Sequence, residues 1–330
     1  MKVTPVYEHY HPLTAYRITL REILDSGSRR PNRTGEDTLF LPGVCLKFNM
    51  AQGFPAFTAR KFFFKPMVGE LLGFLRAYQS AADFRSIGCK VWDGNANETP
   101  SWVQNPHRKG TDDIGRAYGV QWNEWRDWRL ATSATEVEYL LSKGYRKVLE
   151  GASPDGAAGT MMLKELNQVE TSLRTLLTNP TDRRNIITGW RPDEHDRMAL
   201  PACHMTYTWM ADTAKNELHL TTHMRSWDMV LAFNIQLSSL FLHIMARLSG
   251  FKPATMTLFV DDAHVYMNHI PGLQLMLSRA EHPLPTLGMS ERLRKVTPEE
   301  IPGVFKTLQP EDFWLENYVH EEPIKFVMAT

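Results

Sequence analysis

The sequence predicts an α+β fold, layered in the α/β manner. Helical and strand-like patterns alternate along the 330 residues, and no segment repeats another. Hydrophobic residues make up 43% and charged residues 22%, a globular balance that supports a sizeable core. Residues 13–26 place Leu13, Tyr16, Leu20, Ile23 and Leu24 at helical spacing, with Gly27 as the stop. The apolar stretch 39–50 reads as extended. Pro66 opens a second helix whose apolar arc is Met67, Leu71, Phe74, Leu75 and Tyr78. Glu70 sits at the edge of that arc, an expensive place for a carboxylate.

Residues 95–113 turn polar and read as a surface loop. A short helical pattern followed by the glycine-rich run 151–160 predicts a mobile insertion near 132–160 within a single catalytic domain spanning 1–330. Residues 163–178 read as a helix, and 185–190, 205–210 and 217–224 as strands. Phe233 to Leu248 form an apolar helix that Gly250 ends.

Basic and acidic side chains balance at 37 each, which offers no attraction to a polyanion, so an obligatory nucleic-acid partner is not expected. Apolar runs are too short to span a bilayer, and the N-terminus lacks a hydrophobic signal core. Three scattered cysteines fit neither a disulfide frame nor a metal site. The expectation is a cytoplasmic enzyme without a metal. The nucleotide-loop, serine-hydrolase and zinc-protease signatures are missing.

Cys203 stands in LPACHMTYTW, between a proline-marked turn and a β-like run. A lone cysteine is more often a small buried hydrophobe, and an ordinary thiol is only about 3% ionised at pH 7. A nucleophile there needs cationic neighbours. Arg33 in a glycine turn, the pair Arg183 and Arg184, and Arg225 followed by Ser226 are candidates, and the last combination suits a phosphate.

Ten stretches resemble thymidylate synthase and its nucleotide hydroxymethylase relatives, in the family's order. They include NRTGEDT (32–38), VWDGN (91–95), IGRAYGVQW (114–122), DRRNIITGW (182–190), LPACH (200–204), RSWD (225–228), DDAHVYMNHI (261–270) and the tail PIKFVMAT (323–330). The resemblance implies a large mixed β-sheet backed by helices and a homodimer packed sheet to sheet. It implies that Cys203 adds to C6 of dUMP, whose C5 then takes a one-carbon unit from 5,10-methylenetetrahydrofolate to give dTMP and dihydrofolate. Glu70 and Tyr118 match the family's catalytic glutamate and active-site tyrosine, and Trp92 the tryptophan beside the folate. Arg33, Arg225 and Ser226 match the phosphate site, and Arg183 and Arg184 the arginines donated across the dimer. His264 and Tyr266 match the ribose site, and Asp228 the carboxylate that bonds the pterin.

Asn234 matches the residue that reads the base, since its amide offers both a donor and an acceptor to uracil. It also stands where a helix N-cap would. The chain departs from the pattern at DMVLAFN (228–234), which is shorter than the family's usual turn, and at His223, Met224 and Trp227. These departures keep open a hydroxymethylase that would admit water and give 5-hydroxymethyl-dUMP. Trp92 and a tail able to close as a lid favour the dry, reductive outcome.

Overall fold

The computed structural model describes residues 11–32, 35–152, 158–231 and 233–326. Arg33, much of the N-terminal stretch and the tail residues Val327 to Thr330 lie outside the described residues. In chain order come α1 (Thr14–Ser26), β1 (Ser28–Arg30), β2 (Thr38–Asn49), α2 (Phe64–Leu75), α3 (Ala81–Ser86), α4 (Asp93–Asn97), α5 (Pro100–Val103) and α6 (Gly119–Asn123). Next are β3 (Trp125–Ala131), α7 (Ala134–Ser142), β4 (Arg146–Ala152), β5 (Ala158–Leu166), α8 (Gln168–Thr178), β6 (Ile186–Thr188), β7 (His204–Asp212), β8 (Glu217–Met224), β9 (Trp227–Asp228) and α9 (Asn234–Ser249). The remainder are β10 (Lys252–Tyr266), α10 (Ile270–Ser278), β11 (Thr286–Met289), α11 (Val304–Thr307) and β12 (Phe313–Glu316).

The main sheet is mixed, as expected, with strand order β1-β2-β10-β8-β7-β6 and β9 beside β10. β10 lies antiparallel to β2 and parallel to β8 and β9. Strict alternation along β8 sends Leu218, Leu220, Thr222 and Met224 to the buried face. The central helix α9 is buried on every side except at Arg247, polar residues such as Gln236, Ser238 and His243 included. It stops where Gly250 takes a left-handed conformation (φ 85°) that most side chains disfavour.

The other face of the main sheet is open. Ile186 and Met210 are exposed on it, and Thr208, Thr221 and Phe259 line a shallow hollow.

Three expectations are corrected. The polar stretch 95–113 is not all loop, because α5 buries Trp102, whose indole N–H donates to the Asp113 carbonyl at 2.6 Å. The helix expected over 163–178 begins only at Gln168. Residues 163–166 pair in β5, and Asn167 caps the helix by accepting the Glu170 N–H. Asn234 is not an N-cap: Phe233 precedes the first helical residue, and no side chain caps it. The stretch read as an insertion holds α7, β4 and the start of β5, which join β3 in a small antiparallel sheet; residues 153–157 lie outside the described residues.

Candidate active site

Ten of the residues singled out in the sequence converge on one cavity of about 520 Å³: Glu70, Trp92, Tyr118, Cys203, Arg225, Ser226, Asp228, Asn234, His264 and Tyr266. They come from elements far apart in the chain, brought together at one end of the main sheet.

Cys203 stands one residue before β7, half-buried at the cavity wall. Arg225 closes over it from the end of β8. Its Nε and Nη2 donate to the carbonyls of Ala202 and Pro201 at 3.1 and 2.9 Å, and Nη2 lies 3.7 Å from Cys203 Sγ. The fork therefore fixes the backbone of the turn and places positive charge beside the sulfur. On the opposite side the Cys203 N–H donates to Tyr118 Oη at 2.8 Å.

Tyr118 is held by backbone geometry. It takes φ 33° and ψ −92°, a positive-φ backbone rare for a bulky residue, and its ring stacks flat on Phe74 at 4.8 Å. Gly119 allows this approach, since a Cβ there would lie 2.1 Å from the Phe74 carbonyl oxygen.

Glu70 projects from α2 into the same cavity. Burial pushes its carboxyl up to about 7, and the neighbouring Trp92 indole opposes that rise. Such a group exchanges a proton readily near neutral pH. Asp228 is also raised by burial, against the pull of His269 and His264. Its Oδ1 accepts the N–H groups of Val230 and Leu231 at 3.1 and 3.2 Å, while Oδ2 lies 3.5 Å from His269 Nδ1. Leu231, Trp92 and Phe326 line the same cavity as this carboxylate.

At the end of β10 the alternation Asp262, His264, Tyr266 aims three side chains into the cavity. Asp262 was not singled out in the sequence, although its two-residue spacing from His264 signals it. It pairs with Arg30, and its Oδ1 lies 3.5 Å from His264 Nδ1. Burial works against its ionisation, but His264 and Arg30 together hold the carboxyl below its usual range.

His204 was noticed only as part of a motif, yet it lines the cavity and is 4% exposed. A bulge places it. The β7–β8 register shifts between His204 and Thr206, so Met205 is the extra residue, and His204 shares a face with Tyr207 three positions on.

Arg183 and Arg184 do not line this cavity. Both are exposed, and Arg184 pairs with Asp182 at 2.8 Å.

A family model described as Thymidylate synthase matches residues 14–330. A protein of Bordetella parapertussis named Thymidylate synthase is 42% identical over 320 residues, covering 95% of this chain and 99% of the relative. Its namesake from Pseudomonas putida is 38% identical over the same shares. Another from Haemophilus influenzae strain Rd is 32% identical over 313 residues, 93% of this chain and 96% of that one.

Proposed function

Since the chain belongs to the thymidylate synthase family, we propose that its cavity performs the reductive methylation of dUMP with Cys203 as nucleophile. The protein transfers a one-carbon unit from 5,10-methylenetetrahydrofolate to C5 of dUMP, giving dTMP and dihydrofolate. The hydroxymethylase reading is not favoured, because the relatives share the synthase name.

The observation that carries the reading is the position of Cys203 Sγ, 3.7 Å from Arg225 in a cavity also lined by Glu70 and Asn234. Arg225 and Ser226 hold the phosphate, His264 and Tyr266 the ribose, and Asn234 the base. The Cys203 thiolate donates its electron pair to C6, and the displaced π pair makes C5 nucleophilic. When bound, the folate supplies both the carbon that C5 attacks and the hydride that reduces it. Glu70 manages proton movement on the O4 side of the ring. After C5 has lost its proton, Cys203 leaves C6 with the electron pair it brought. Trp92 and Tyr118, both buried, form a wall that keeps water from the intermediate.

The test is to incubate the protein with dUMP and methylenetetrahydrofolate and weigh the nucleotide product while following dihydrofolate by absorbance. The expected product is dTMP with one dihydrofolate per turnover. A product heavier by one oxygen, without dihydrofolate, would replace the synthase by a hydroxymethylase.

We infer further that two copies pair through the open sheet face, and that Arg183 and Arg184 reach the partner's phosphate. Support comes from the exposure of both arginines just before β6, the edge strand next to the open face. Separately inactive Cys203→Ala and Arg183→Ala/Arg184→Ala chains, mixed under conditions that allow exchange, should regain about a quarter of wild-type activity. Half of randomly formed dimers are mixed, and each of these has one intact site. No recovery on mixing would confine each site to one chain.

A further inference from the structure

We propose that the Tyr207 hydroxyl is a positioning group for base recognition: acting through His204, it holds the Asn234 amide in the single orientation that reads uracil. The inference rests on the functional reading above and takes it beyond the residues that touch the nucleotide. Tyr207 is fully buried in β7, packed edge-on against Trp122 at 5.2 Å and Phe241 at 5.4 Å. Its Oη lies 2.6 Å from His204 Nδ1. The Asn234 side chain lies near enough to favour the protonated form of the same imidazole, and the Ser238 hydroxyl near enough to favour ionisation of Tyr207. Asn234 and Ser238 are one turn apart on α9, while the Met205 bulge brings His204 and Tyr207 to the face of β7 that meets them.

The direction of these bonds follows from counting protons. Thr222 donates to Ser238 Oγ at 3.4 Å, which leaves the Ser238 proton for the oxygen of Tyr207. The phenol proton then goes to His204 Nδ1. Burial pushes the His204 pKa down to about 4, so the ring is neutral and carries one N–H. With Nδ1 accepting, that N–H is on Nε2, the nitrogen left for Asn234. An N–H there requires the amide to present its oxygen.

This matters because an asparagine by itself does not choose between the two pyrimidines. A half-turn of its amide exchanges oxygen for NH₂, so one orientation meets O4 and N3–H of uracil and the other meets the amino group and bare N3 of cytosine. Turned to read cytosine, the amide would set its NH₂ against the Nε2–H of His204, donor against donor in a buried site. The hydroxyl relay therefore removes the cytosine-reading orientation before any ligand arrives.

The experiment compares dCMP and dUMP dissociation constants on the same preparations of wild type, Tyr207→Phe and Ser238→Ala. Phenylalanine keeps the buried ring and deletes only the hydroxyl. Because the readout is a ratio, any misfolded fraction cancels. The dCMP-to-dUMP ratio should fall at least about tenfold in Tyr207→Phe, mainly through tighter dCMP binding, and about threefold in Ser238→Ala. A wild type that discriminates, together with variants whose ratio stays within about twofold of it, would overturn the relay. The Ser238→Ala ratio decides alone if the phenylalanine variant is insoluble. Failure of the wild type to bind dUMP would instead overturn the functional reading.

Discussion

Replacing Cys203 with alanine is expected to lower kcat by at least about 10⁴-fold while dUMP binding changes by less than about tenfold. The asymmetry follows from how the turn is held. Arg225 grips the carbonyls of Pro201 and Ala202, and Tyr118 accepts the residue-203 backbone N–H, so none of these bonds uses the sulfur. The phosphate and base contacts survive the substitution, and only the atom that adds to C6 is lost. Dihydrofolate formation reports turnover. Trapping with 5-fluoro-dUMP and methylenetetrahydrofolate, read as a complex that survives denaturation, reports the covalent bond. A variant that still traps the nucleotide covalently would take Cys203 out of its role.

Glu70→Gln should lower kcat by about 10²- to 10³-fold and at the same time stabilise the fold at neutral pH. Burial pushes the carboxyl up to about 7 in the folded protein, against 4.5 for an exposed glutamate. Above pH 4.5 the unfolded chain releases the proton while the folded chain keeps it, so folding takes a proton up. Wild-type stability therefore declines as pH rises from 4.5 to about 7 and carries no further penalty from this group above that. Glutamine does not titrate. The variant's advantage should be absent below pH 4.5, grow through that window and level off at roughly 1–3 kcal/mol. Thermal melts of both proteins at pH 4.5 and pH 8 measure the gap. A gap of constant size would mean that Glu70 is not held protonated by its surroundings.

Much of the chemistry was legible in the sequence because it depends on side-chain type and order. A thiol, a carboxylate on an apolar arc and an arginine-serine pair each stand out locally, and Cys203, Glu70, Arg225 and Ser226 meet in one cavity with six residues that only the family resemblance singled out. The fold was less legible where pairing overrides pattern. β10, the longest strand in the main sheet, was not read as a strand. Pro253 falls at a register shift near its start and Asp261–Asp262 interrupt its apolar run, yet strands on both sides hold it extended. The glycine-rich run after Leu149 looked like loop, but Gly151 and Gly159 face each other across β4 and β5. The burial of Trp102 in α5 came from tertiary contacts that a polar neighbourhood concealed. The placement of His204 was hidden for another reason: strict alternation from Tyr207 would have put it on the opposite face.

The one-residue irregularity at Met205 also governs how this stretch can vary in length. Side chains between Cys203 and Tyr207 can be exchanged without altering which way their neighbours point, but deleting Met205 would remove the bulge, leave the imidazole on the face of Tyr207 in simple alternation, and draw the thiol one position along the strand toward the phenol. An added residue would displace the thiol relative to the guanidinium that covers it. Natural variants of this segment should therefore differ by substitution and keep the interval from thiol to phenol fixed, since a shift of a single position would empty the site without changing any of its chemical groups.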